Sequence, residues 1–558
     1  MSARYQKNLL FVLLFVWFLV NLLQSIFTEI LSDEAYYGLY GKYLEWGYFD
    51  HPPMVALLVK ISSLFFKGNL GIRLMTVLLQ IATLLFTWKI IDDKQPDSDK
   101  VYSFFIIAAS ICMFSAYGFV TTPDVPLLFF TSFFLYSYKK FLVDQKWLSV
   151  ILLSLSMAGL VYSKYQAVLV VGFVVLSNIK LLKSYKFWIS GLCALILLTP
   201  HIWWQIANDY PSFKYHLVDR SEGFKWVYLL EYLPNQMAVF NPLILGAVVY
   251  VIVKNKIKDL FTRALYFLII GFIAFFWLTA FRGHVEPHWT IACSIPMIIL
   301  LYNNSTVNPK MFRFLRKALL PSLFIIFAIR ILIISNLAVV KYLGFAGKKE
   351  KAEYIESVAK DLPVLFLGSF SNPSLYSFFT GKEAMAINSL YSRKTQFDIW
   401  QFEKKYNNKP VFVCDYGEGS SKTYEKGRLK FFGYETDSLQ TINRIGIKIK
   451  PRLKILHNGD SIDLSLTFNN PYDFDINFNH RKFPVQIYIA FLKDEEFNLY
   501  PVELKEPIHI IRSGETLIGT ITTVVPDLPD GKYYFGICLQ NLFGPAINDS
   551  FSEIKIIK

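Results

Sequence analysis

The sequence predicts a polytopic α-helical membrane protein with an external α/β unit and a C-terminal β-sandwich. Three observations carry that expectation. Apolar runs approaching or exceeding the ~20 residues a bilayer requires recur about eleven times before residue 345. Basic residues collect in alternate loops between those runs. Beyond Gly344 the composition turns polar, and strand-length segments alternate with turn signals.

The composition agrees. Of 558 residues, 54% are hydrophobic and 17% aromatic, which suits a membrane protein with a water-soluble portion rather than one soluble domain. A net charge of +14 would suggest nucleic acid in a soluble protein. Here most of the excess lies in short loops on one side, where topology and anionic headgroups account for it, so no nucleic-acid partner is expected. Five cysteines are too few for a disulfide framework. Cys112, Cys193 and Cys293 lie in apolar runs, whereas Cys414 and Cys538 could pair only if the two halves of the polar portion touch.

In chain order, the apolar cores are 8–29, 69–91, 101–119, 126–143, 147–162, 165–182, 187–207, 233–253, 262–281, 288–302 and 318–341. The first lacks a small-residue cleavage site and reads as a retained anchor. Arg4 and Lys7 share one side with Lys139, Lys140 and Lys146, with Lys180, Lys183 and Lys186, and with the clusters at 254–263 and 310–317. That side is cytoplasmic by the positive-inside rule. The 30–68 loop, the T-T-P-D-V-P turn, the 208–232 loop, the 282–288 turn and the C-terminal portion then lie outside. Residues 1–345 read as the membrane domain, 346–440 as the α/β unit and 441–558 as an immunoglobulin-like sandwich, with turns at N-G-D, N-N-P, R-S-G and P-D-G.

The most informative stretch runs from Ser32 to Met54 and holds Asp33 and Glu34, then Asp50 and His51 before Pro52-Pro53. Acids at the mouth of a membrane helix are costly unless water or a partner satisfies them, so they mark a candidate site. Taken alone, a D-E pair reads first as a solvated membrane edge. Asp124 likewise reads first as a helix cap, with Pro126 in the first turn that follows. Lys164, in S-K-Y-Q, reads as a cation snorkelling to a headgroup or neutralising a phosphate.

D-E-A-Y-Y followed by W-G-Y-F-D-H-P-P-M resembles the first external loop of the GT-C glycosyltransferases that use polyprenyl-phosphate sugars, a superfamily holding the aminoarabinose transferases and the protein O-mannosyltransferases. F-R-G-H-V-E-P-H-W (281–289) resembles a G-K-V-E-P-N-W-like turn of that group, with histidines in place of its Lys and Asn. S-R-K-T-Q-F-D-I-W (392–400) resembles its R-x-x-Q-[YF]-D-x-W motif. The resemblance covers about 8–300 and 385–400, and leaves out the last hundred or so residues.

The resemblance implies an inverting transfer of a sugar from a polyprenyl-phosphate carrier to a lipid, glycan or protein. Asp33, Glu34 and Asp124 are then the expected catalytic carboxylates, since the attacking hydroxyl must be deprotonated or oriented. His51, Lys164, Arg220, Arg282 and Arg393 are expected to meet the phosphate, whose charge grows in the transition state. Tyr36, Tyr37, His284, Glu286, His288 and Gln396 complete the expected substrate-binding set. No cofactor is required; a divalent metal fits the ligand types of Asp50 and His216, but no spacing fixes it. The rival reading is a lipid-sugar or small-solute transporter, which should show ionisable residues near mid-span and repeated halves; here the acids keep to one membrane face and no repeat is read.

Overall fold

The computed structural model describes residues 3–93, 96–216, 223–335, 337–342, 344–417, 421–493, 496–548 and 551–558. They form two compact units, Met1–Lys349 and Glu350–Lys558.

The first unit is helical. It opens with α1 (Ala3–Phe27), two short helices α2 (Ser32–Lys42) and α3 (Met54–Phe65), and the long α4 (Gly68–Ile91). The loop expected over 30–68 is therefore largely helix. The acids at 33 and 34 sit in the first turn of α2, where the helix dipole favours negative charge. Next come α5 (Ser98–Ser110), α6 (Cys112–Ala116), α7 (Asp124–Val143) and α8 (Trp147–Ser163). A 3₁₀ turn at Tyr165–Ala167 leads into α9 (Val168–Ser177), followed by α10 (Tyr185–Ala207) and α11 (Pro211–Lys214). The unit continues through α12 (Trp226–Phe240), α13 (Pro242–Lys254), α14 (Leu260–Thr279), α15 (Ser294–Val307) and α16 (Pro309–Ile334).

Among the described residues, five helices are long and apolar enough to cross a membrane: Asn8–Phe27, Gly68–Ile91, Tyr185–Ala207, Leu260–Thr279 and Lys310–Ile334. The eleven expected spans thus resolve into these five, shorter apolar helices, and one broken run. That run, expected over 233–253, bends by 98° between α12 and α13. The cause is local. Asn241 takes a positive φ of 77°, outside the helical region, and Pro242 cannot continue the preceding helix. The Asn241 side chain accepts from Leu243 N and donates to Ser110 O and Ser322 Oγ.

α7 packs between α4 and α8, and α3 packs on α4, so the segments bearing Asp33, Asp124 and Lys164 converge on one region. The buried faces of α4, α7 and α8 join one apolar core that includes Phe104, Phe114, Leu135, Leu153 and Ile298.

The second unit pairs a mixed five-stranded sheet with a sandwich. The strands Val364–Leu367, Ala384–Ile387 and Val411–Asp415 are parallel neighbours, and Leu429–Thr436 and Lys422–Lys426 extend the sheet antiparallel. In the sandwich, Ser461–Asn469 lies between Thr516–Val524 and Gly446–Lys450. Opposite, Gln486–Lys493 and Gly531–Asn541 form the centre of a larger sheet. Alternation fixes the inner face: Leu464, Leu466 and Phe468 are buried while Ser461, Asp463 and Asn469 are exposed. They meet Ile487, Ile489, Phe535 and Ile537 in one core. All five cysteines are free thiols, so Cys414 and Cys538 do not pair.

Candidate active site

Of the two adjacent acids in α2, only one is available for chemistry. Asp33 is exposed, whereas Glu34 is fully buried. Arg73, equally buried, donates Nε to Glu34 Oε1 at 2.7 Å and Nη2 to Oε2 at 2.5 Å. The two carboxylate oxygens also accept the backbone N–H groups of Thr121 (2.8 Å) and Leu31 (3.1 Å). A carboxylate offers about four acceptor positions, and all are taken. Arg73 completes its own set by donating to the carbonyls of Ser25, Thr28 and Glu29. Glu34 was expected among the catalytic acids; with its lone pairs consumed it is a positioning residue. It ties α2, which carries Asp33, to the loop leading into Asp124.

Asp124 begins α7 and is almost fully buried, yet its side chain caps nothing. Its Oδ1 accepts from Lys164 Nζ at 2.7 Å, and its Oδ2 from Tyr117 Oη at 3.3 Å, with His288 Nε2 at 3.8 Å. Lys164 sits in the break between α8 and the following 3₁₀ turn, where an extended backbone (φ −162°, ψ 140°) aims it inward. It too is buried, so its pairing with Asp124 decides against snorkelling. Among the described residues one of its three N–H donors is used.

Asp33, Asp50 and Asp124 all act on the buried hydroxyl of Tyr37, whose pKa is raised by burial first and by these charges next. Tyr117 is raised for the same reasons, with Asp124 and Asp33 among the causes. The three acids therefore share one neighbourhood. Asp50 accepts from Tyr40 Oη at 2.6 Å. His51 lies 5.7 Å from the Tyr37 ring, and burial lowers its pKa to about 4, with Lys164 and His216 adding to the effect against Asp50 and Asp124. It was expected to meet the phosphate, and as a neutral imidazole it has a hydrogen bond to offer there.

The remaining expectations divide. His216 places Nε2 3.0 Å from the backbone oxygen of Asp50. Among the described residues no group of three His, Cys, Asp or Glu is arranged to hold a metal. His284 and Glu286 face each other at 3.9 Å, both part-exposed, and Arg282 is exposed beside them. Tyr36 is buried against Tyr40, ring centroids 4.6 Å apart, and serves packing rather than substrate contact. Arg220 lies outside the described residues.

Arg393 and Gln396 belong to the second unit. The Arg393 guanidinium lies over Phe370 at 5.6 Å, and Gln396 is fully buried in a turn organised by Asp398, which accepts from Thr395 N and Asn388 Nδ2, each at 2.6 Å. Gln396 therefore packs that turn instead of meeting a substrate.

Two groups were not anticipated. Arg73 is an isolated charge inside an apolar run, a signal that was legible. The set formed by Tyr165, His201 and Gln205 was not, since it depends on α10 meeting the 3₁₀ turn. Gln205 donates to Tyr165 Oη at 2.9 Å, and His201 Nδ1 lies 2.7 Å from Trp46 O. Gly47 permits this approach, because a Cβ there would lie 2.4 Å from the Trp204 ring.

The fold is that of a multi-pass α-helical membrane protein. Residues 50–204 match the dolichyl-phosphate-mannose-protein mannosyltransferase family. The chain is 25% identical over 317 residues to the lipid A galacturonosyltransferase RgtD of Rhizobium johnstonii, a match covering 54% of this chain and 65% of that relative, just under two thirds of its length. Its fold is similar to crystal structures of ArnT from Cupriavidus metallidurans, bound to undecaprenyl phosphate (TM-score 0.57) and in the apo state (0.56). Each likeness is at 12% identity and covers 77% of this chain and 98% of that one, and so establishes the fold. The GT-C resemblance read from the motifs is met by all three comparisons.

Proposed function

We propose that this chain is a GT-C membrane glycosyltransferase that moves a sugar from a polyprenyl-phosphate carrier to a lipid acceptor of the lipid A type, on the external face of a bacterial inner membrane. The observation that carries the reading is the buried Asp124–Lys164 pair set in the same neighbourhood as the exposed Asp33. In the reaction, an acceptor hydroxyl oxygen attacks the anomeric carbon and the bond from that carbon to the phosphate oxygen breaks. The configuration inverts, and the polyprenyl phosphate leaves as an anion.

Asp33 takes or orients the hydroxyl proton, the role a carboxylate at a water-accessible edge fills. Asp124 fixes Lys164, whose remaining donors meet the phosphate as its charge develops. His288, Tyr117 and neutral His51 supply hydrogen bonds around the same point. The likeness to a lipid A galacturonosyltransferase supports the acceptor class, and the undecaprenyl phosphate held by the similar structure supports the carrier. Basic loops on one side support the orientation.

The test is mass spectrometry of lipids from cells that carry the chain or its Asp33→Asn variant. A lipid species bearing a sugar should vanish with the variant. An unchanged lipid profile would overturn the reading.

A further inference from the structure

Arg330 lies within α16, a helix apolar enough to cross a membrane, and is only 4% exposed. A guanidinium buried at such depth is costly unless a counter-charge or a full set of acceptors meets it. Arg73 has both. Arg330 has neither among the described residues. Its Nη2 donates to Asn21 Oδ1 at 2.7 Å, its Nη1 to Ser115 Oγ at 3.3 Å and its Nε to Gln24 Oε1 at 3.5 Å. The rings of Phe119, Trp17 and Phe327 lie 4.7, 5.6 and 5.9 Å from Cζ. Every one of these partners is neutral. Among the described residues two of the five N–H donors meet no acceptor, and the aromatic faces offset only part of the charge.

The same guanidinium lines a cavity of about 310 Å³ bounded by Ser115, Phe119, Asn241, Ile325 and Ile329. Its wall is nearly all apolar apart from Arg330 and the small polar groups beside it. Ile325 and Ile329 are 58% and 51% exposed, so the cavity opens on the exposed apolar surface of α16. None of its lining residues is among those gathered around Asp124 and Lys164. A lone cation at the base of an apolar recess complements an anion that carries its own hydrocarbon.

We propose that this cavity binds a phosphate-bearing membrane lipid, its phosphate on Arg330 and its chain along Ile325, Ile329 and Ile333, as a site separate from the Asp124–Lys164 pair. The inference does not depend on the proposed transfer reaction, because it concerns a second cation and a second recess.

The test is native mass spectrometry of the full detergent-solubilised chain, titrated with dioleoyl phosphatidic acid or with dioleoylglycerol, which has the same chains and no phosphate. Wild type should retain phosphatidic acid over dioleoylglycerol by about tenfold or more, the scale of charge-assisted hydrogen bonds. Arg330→Gln should remove that preference. Ile329→Trp, which fills the recess and leaves the cation in place, should lower occupancy by a similar factor and decides the matter if Arg330→Gln does not fold. Lys164→Gln should keep an adduct that is lost when Ile329→Trp is added. Equal retention of the two lipids, or an adduct indifferent to Ile329→Trp, would overturn the proposal. So would inorganic phosphate binding as tightly as phosphatidic acid, which would make the recess an ion site and not a lipid site.

Discussion

Glu34 Oε1 accepts the backbone N–H of Thr121 at 2.8 Å, across 87 residues of chain. That bond joins the acid beside Asp33 to a loop only three residues short of Asp124. The separation of the two proposed working carboxylates is thus set by a third that does no chemistry itself.

Glu34→Gln should therefore act through the fold. It strands the Arg73 charge in a buried site, a change that costs about 3–5 kcal/mol. Thermal unfolding in detergent should show that loss, with turnover falling alongside the folded fraction. Full stability with abolished turnover would make Glu34 a reacting group.

Asp33→Asn should behave in the opposite way. The side chain is exposed, so stability should change by no more than about 0.5 kcal/mol. Turnover on the isolated lipid acceptor should drop by about a hundredfold or more, the scale of a lost general base. Near-normal turnover would remove Asp33 from the mechanism.

Asp124 and Lys164 should be coupled. Either Asp124→Asn or Lys164→Met alone leaves one member of a buried pair without its partner and should cost about 3 kcal/mol or more. The double variant should recover much of that stability while remaining inactive. Additive losses in a double-mutant cycle would show that the two do not act as a pair.

His51 makes stability depend on pH. Its pKa falls from the ordinary 6.5 to about 4 on folding, mainly through burial. The unfolded chain thus takes up a proton first as pH falls. The contribution is present in full above pH ~6.5 and is lost progressively as pH drops toward 4, on the order of 3 kcal/mol at the limit. Unfolding temperature measured between pH 4 and 8 should decline on the acid side, and His51→Gln should flatten that decline. An identical profile in the variant would show that His51 is not responsible.

The architecture was legible because its signals are periodic and repeated. Apolar runs announced the helices, and alternation such as that of Ser461–Asn469 announced the sandwich. What failed was local or long-range. Asn241-Pro242 is a turn signal within a single residue pair, overridden on reading by the apolar residues around it. The roles of Asp33 and Glu34 cannot be separated by residue type, since the difference lies in Arg73 and Thr121, distant in sequence. His51 has a cationic residue's identity, but burial removes its charge, and burial depends on how Tyr37 and its neighbours close around it. Arg73 and Arg330 were both visible as lone charges in apolar runs, yet nothing in the sequence says that one is saturated and the other is not.

The bend at Asn241 also bears on how the chain matures in the bilayer. Hydrocarbon offers nothing to interrupted backbone, so this corner has to be sheltered by protein. Its side chain donates to Ser110 in α5, made well before it, and to Ser322 in α16, made some eighty residues later. A nascent chain must therefore hold this joint incomplete until its last long helix arrives, which makes the late docking of α16 the step that seals the bundle.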